Sequence, residues 1–100
     1  MLDSFHMELS ERCIQTLEKE GWSSVYEWSD APGTEYPEHS HQVHTAIIIT
    51  EGSMSISMNG ETKELQVGDR IEIPPHSVHS VVVGSAGCQF VVGERPPTPS

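Results

Sequence analysis

The stretch Gly33-Thr34-Glu35-Tyr36-Pro37-Glu38-His39-Ser40-His41-Gln42-Val43-His44-Thr45-Ala46-Ile47-Ile48-Ile49-Thr50-Glu51-Gly52 carries most of the information in this chain. Its second half contains Ala46-Ile47-Ile48-Ile49, a run that is apolar on both faces of an extended backbone. Such a run predicts a strand over residues 45–50 that is buried on both sides. Its first half places His39 and His41 two residues apart. Side chains alternate along a strand, so an extended backbone here projects both imidazoles from one face.

Downstream, Met54, Ile56 and Met58 alternate with serines and predict a half-exposed strand. Asn59-Gly60 supplies the positive φ angles of a tight hairpin, and Glu61 to Leu65 returns. Val67-Gly68-Asp69 predicts a second turn, followed by a strand from Arg70 to Ile73 that Pro74-Pro75 stops, because proline donates nothing to a ladder. Two further strands, Val78 to Val83 and Cys88 to Val92, are predicted on either side of Gly84-Ser85-Ala86-Gly87. Upstream, Val25 to Trp28 reads as a strand broken by Ala31-Pro32-Gly33.

The N-terminal segment has a different period. Phe5, Leu9, Cys13 and Leu17 recur every four residues and Ile14 widens the stripe, which predicts a helix from Ser4 to Glu20. Ser4 or Asp3 is placed to cap its start, and Gly21 sits at the left-handed C′ position. The organisation expected is residues 1–22 as a helical segment on a barrel, 23–93 as the barrel and 94–100 as a loose tail without an apolar anchor. One helix and many short antiparallel strands indicate an all-β sandwich or barrel.

The chain has 100 residues, enough for one core and not for two. Fifteen Asp and Glu against five Lys and Arg give a formal charge of -10. Phosphate recognition needs clustered Lys and Arg, so a nucleic-acid partner is excluded, as is attraction to an anionic membrane surface. No apolar run reaches the roughly 20 residues that cross a bilayer. The N-terminus lacks the pattern of a signal peptide, and two distant cysteines make no disulfide framework, so a cytoplasmic setting is expected. Histidine is the unusual residue: five of the six lie between His39 and His79.

Those histidines sit in two patterned segments. The first runs from Gly33 through His39, His41 and Thr45 to Gly52. The second is Gly68-Asp69-Arg70-Ile71-Glu72-Ile73-Pro74-Pro75-His76-Ser77-Val78-His79. In the positions of their glycines, proline and histidines, and in the short span from Ser53 to Val67 between them, these segments resemble the two motifs of the cupin superfamily. The resemblance covers roughly residues 25–92. It implies a double-stranded β-helix, a jelly-roll cupin barrel, with one short N-terminal α-helix on its outside, and a homodimer.

The resemblance also implies a metal site. The family site uses three histidines and a glutamate, and here His39, His41 and His79 carry over as ligands. Thr45 stands where the glutamate would be, His76 at the second motif's inner glycine and Val83 at its asparagine. A threonine hydroxyl is a poor ligand for the metals imidazole prefers, so Thr45 reads as a filler of strand space. Imidazole accepts Fe, Ni, Mn, Zn or Cu, so the sequence implies one divalent transition metal ion without naming it. A neutral three-His shell leaves positions open for a small chelating substrate or ligand. Oxidation by O₂ or a metal-assisted isomerisation suits such a centre, and a non-catalytic binding or sensor module is the alternative.

Two more histidines are candidates around it. Strict alternation aims His44 away from His41, whereas a bulge before Thr45 would turn it inward as a further ligand; like His76 it is also a candidate proton-transfer group. His76, in the proline-led turn, is either a proton-transfer group, a partner of the ligands or an exposed loop residue. Trp22, Trp28 and Tyr36 are candidates for a pocket wall or for packing, and Cys88 for a small buried hydrophobe.

Overall fold

The computed structural model describes residues 8–97. One helix, α1 (Leu9–Lys19), precedes six strands: β1 (Ser24–Asp30), β2 (Glu35–His39), β3 (His44–Met58), β4 (Glu61–Gln66), β5 (Arg70–Ile73) and β6 (His79–Arg95). The two longest, β3 and β6, pair antiparallel from His44 opposite Arg95 to Met58 opposite His79. Register shifts fall between Ile49 and Glu51 and between Gly52 and Met54. Partners change at the same place. The first part of β3 pairs with β5 and its last part with β4, while the first part of β6 pairs with β2 and its last part with β1. Two four-stranded layers result, β1-β6-β3-β5 and β2-β6-β3-β4, sharing the long strands. This is the jelly-roll barrel that the sequence resemblance implies.

Alternation along β3 sorts its apolar run between two cores. Ile47 and Ile49 point inward with Met54, Ile56, Val83, Phe90 and Val92, while Ala46 and Ile48 point outward. That outer face, together with Val91, is covered by Cys13 and Leu17 of α1 and by Trp22. The helix ends as its sequence predicts. Gly21 adopts φ 90°, its N–H donates to Glu18 O, and the Trp22 N–H reaches back to Leu17 O, which is the Schellman arrangement. Arg70 then ties this corner to β5, donating twice to Glu20 at 2.7 and 2.8 Å and once to Glu72 at 2.9 Å. The Arg70 and Trp22 hydrogen bonds hold the Glu20 carboxyl down at about 2. Among the described residues no helix is long and apolar enough to cross a membrane.

The structure departs from the sequence expectation at its glycines and at its ends. Gly52 and the Gly84–Gly87 segment do not end strands, and β3 and β6 run through them unbroken. Glycine inside a strand marks a bulge or a close backbone approach, and both occur here. A Cβ on Gly52 would collide with the Gly87 carbonyl, and one on Gly84 with the Ser53 hydroxyl. The helix begins at Leu9 with an extended Glu8 as its N-cap, and the Asp3 or Ser4 cap lies outside the described residues. Glu94 and Arg95, expected in the tail, belong to β6. The Tyr26 hydroxyl donates to Glu94, and the Arg95 guanidinium lies 4.0 Å over the Trp22 ring.

The crossing makes Gly52 unlike a turn glycine. Both Gly52 and Gly60 have positive φ, at 71° and 78°, yet only Gly52 abuts another backbone. Gly52→Ala is expected to lose about 3 kcal/mol or more of stability, against about 1 kcal/mol for Gly60→Ala in the Asn59-Gly60 turn. Thermal unfolding of the two variants checks this, and equal shifts would contradict a close crossing.

Candidate metal centre

Three elements bring the histidine ligand candidates together. His39 is the last residue of β2, His41 follows it, and His79 opens β6 in register with His39. The proline-stopped turn after β5 holds the arrangement from the other side, because the His76 N–H donates to the His41 carbonyl at 2.7 Å. Ring centroids lie 4.3 Å apart for His39–His79, 4.8 Å for His39–His41 and 5.4 Å for His41–His79. Their ligand-capable nitrogens all lie within 4.8 Å of one another.

Hydrogen bonds set the chemistry of the pair. His39 Nδ1 lies 2.7 Å from Pro37 O, and His79 Nδ1 lies 3.0 Å from Ser77 O. A carbonyl oxygen only accepts, so each Nδ1 carries the proton and each neutral ring keeps its Nε2 lone pair free. Burial lowers the pKa of His79 against the opposing effect of the Ser77 carbonyl, and the neighbouring His39 and His41 lower it further. His79 is 3% exposed, whereas His41 stands at the surface. Two imidazoles oriented through Nδ1, with a third at the surface beside them, form a donor set that fits a divalent transition metal ion.

The three histidines line a cavity of about 530 Å³ between the two layers. Thr45, 7% exposed, forms part of its wall and puts no carboxylate beside the histidines. Beside the histidines the wall is aromatic and acidic, with the Tyr36 ring 6.3 Å from that of His39. Tyr26, Trp28 and Asp30 are alternate residues of β1, and Tyr36 of β2 and Glu94 of β6 join them. The Tyr36 hydroxyl and the Trp28 Nε1–H both donate to Asp30 Oδ1, at 2.7 and 3.1 Å, and the Tyr26 hydroxyl donates to Glu94 Oε2 at 2.9 Å. Burial, with the Glu94 bond and charge behind it, pushes the Tyr26 phenol up to about 12.

The remaining histidine candidates lie elsewhere. His44 follows strict alternation: its Nε2 is 3.1 Å from Glu72 Oε1 and its ring meets the Trp22 ring edge-on at 5.1 Å, on the helix-covered face. No bulge turns it toward His41. The His76 ring is exposed and does not line the cavity, and its backbone takes the left-handed position (φ 66°) that the family motif gives to glycine. Trp28 and Tyr36 do line the cavity, while Trp22 packs under α1. Sequence reasoning missed Asp30, Tyr26 and Glu94. The period of two in Tyr26, Trp28 and Asp30 was the available signal, hidden because Asp30 precedes the turn residues Ala31-Pro32-Gly33.

The sequence profile of the cupin domain matches residues 26–92, spanning both histidine segments and every strand from β1 onward. The chain belongs to the cupin family. Among solved structures this cupin resembles a conserved Streptococcus pyogenes protein of unknown function, at 21% identity and a TM-score of 0.66 over 75% of this chain and 65% of that one. It also resembles a cupin superfamily protein from Desulfitobacterium hafniense, at 17% identity and a TM-score of 0.62 over 77% and 81%. A third likeness is to DMSP lyase DddQ from Ruegeria pomeroyi, at 22% identity and a TM-score of 0.67 over 76% and 39%. The chain spans less than two thirds of the Streptococcus protein and of the lyase. At these identities the likeness is one of fold. No match is found among curated proteins.

Cys88, opposite Asp30 in the β1–β6 pairing, is 5% exposed and packs in the inner core. Burial first, and the Asp30 charge second, push its thiol up to about 11. Roughly one such thiol in a thousand is ionised at pH 8, so Cys88 is expected to resist a disulfide reagent there until the chain is unfolded. Rapid labelling of Cys88 in the native protein would contradict this environment.

Proposed function

We propose that this cupin holds one divalent transition metal ion through His39, His41 and His79 and binds a small chelating molecule in the adjoining cavity. The observation that carries the reading is the orientation of the imidazoles. His39 and His79 spend their Nδ1 protons on the carbonyls of Pro37 and Ser77, which leaves their Nε2 atoms free beside His41. Three protein ligands leave positions open for a bound molecule. The metal, when bound, supplies Lewis-acid polarisation or, if redox-active, O₂ activation. The chain's own contribution is to bind, orient and partly enclose. His79 is buried against the core, Thr45 seals the wall near the histidines, and the aromatic residues of β1 and β2 screen the ligand from water.

Turnover as a dioxygenase or isomerase is one use of such a centre, and ligand capture without turnover is the other. One observation favours capture: neither His44 nor His76, the residues suited by type to move protons, is among the residues that line the cavity, and His44 is held by Glu72. The titratable groups on the wall beyond the three histidines, Asp30, Glu94, Tyr26 and Tyr36, are engaged with one another or with Trp28.

The test is metal content by plasma mass spectrometry on untagged protein purified without chelator or added metal, beside the His39→Ala/His79→Ala double variant. About one equivalent of a transition metal is expected in the native protein and almost none in the variant. Equal, substoichiometric metal in both would overturn the reading.

A further inference from the structure

Besides the three histidines the cavity wall carries an acidic and aromatic group of residues, whose charges no step above uses. Tyr26 and Trp28 are large aromatics on the wall, yet they remain 40% and 51% exposed. Their polar ends are committed: the Trp28 and Tyr36 donors go to Asp30 and the Tyr26 donor to Glu94. These bonds fix the rings beside two carboxylates. Asp30 Oδ1 accepts two hydrogen bonds, while its Oδ2 is shielded from solvent and has no hydrogen-bond partner among the described residues. A carboxylate oxygen so placed is left without compensation, which costs free energy unless positive charge comes near.

Among the described residues no lysine or arginine lines the cavity. Arg70 is engaged by Glu20 and Glu72, and Arg95 by the Trp22 ring. Aromatic rings and carboxylates with no lysine or arginine side chain among them form the combination that attracts an organic cation. The rings offer their negative faces, the carboxylates offer charge, and neither demands the directed hydrogen bonds that an inorganic ion or a neutral polar group would need.

We propose that the β1 side of the cavity, formed by Tyr26, Trp28, Asp30, Tyr36 and Glu94, recognises the alkylammonium head of an organic cation. The inference rests on the reading of this cavity as a ligand site and deepens it: the ligand is cationic at the β1 side and chelating at the histidines.

The test compares choline with its neutral isostere, in which carbon replaces the quaternary nitrogen. Each is titrated into the full chain as purified and again after chelator treatment. Binding is followed by the Trp28 indole resonance in proton–nitrogen correlation spectra. Choline is expected to shift that resonance and to bind about tenfold more tightly than the isostere. Asp30→Asn, which keeps the acceptor for Tyr36, and Glu94→Gln are each expected to reduce that preference while circular dichroism stays native. Equal affinity for the two probes, no Trp28 response to choline, or an undiminished preference in both variants would overturn the proposal. Choline has no strong metal-ligating group, so its failure in both preparations would leave the three-His reading standing. Choline selectivity in protein that holds no metal would in turn leave the cation proposal standing alone.

Discussion

The antiparallel pairing of β3 with β6 determines where almost every other group in this protein stands. Each strand serves both layers, so a single crossing, where Gly52 meets Gly87, sets the angle between the sheets and the width of the space they enclose. The crossing also fixes side-chain direction. Ile47 and Ile49 face the interior and Ala46 and Ile48 face α1 only while the register on either side of the shift is kept. At the far end, the register that places His79 opposite Met58 also places it opposite His39 on the next strand. The candidate centre is thus a consequence of strand register rather than of a local loop.

Burial is graded across that centre, and the grading separates two tasks. His79 sits in the core and His41 at the surface, so the ligand set reaches from the interior to the solvent. Backbone carbonyls rather than carboxylates orient His39 and His79, which keeps negative charge out of the immediate ligand environment. The acidic groups that do line the cavity, Asp30 and Glu94, are held by aromatic donors on β1 and β2. The cavity thus presents imidazoles and aromatic-held carboxylates on one wall, two unlike sets of groups for a small molecule to meet.

Much of this was legible in the sequence because it depends on short-range rules. The doubly buried strand at Ala46–Ile49, the Asn59-Gly60 turn, Gly21 as C′ and the alternation that aims His44 outward all follow from one strand or one turn. The convergence of His39 and His41 with His79 was readable only through the resemblance of two distant segments to a known family, since register between strands is not encoded locally. What escaped depends on close approach. Gly52, Gly84 and Gly87 resemble turn glycines in composition, but they are needed where two backbones pass, a contact visible only once both strands are placed. Asp30 escaped for a similar reason: its partners Tyr36 and Cys88 are brought to it by two other strands.

The central claim is that three side chains from two strands and the segment after β2 converge on one ion. X-ray absorption at the zinc edge, on protein reconstituted with one equivalent of zinc, tests it most directly. The account predicts three imidazole nitrogens at about 2.0–2.1 Å, with the outer-ring scattering of histidine, and one fewer in His79→Ala. A shell of fewer imidazoles in the native protein, or a spectrum unchanged by removing His79, would contradict it.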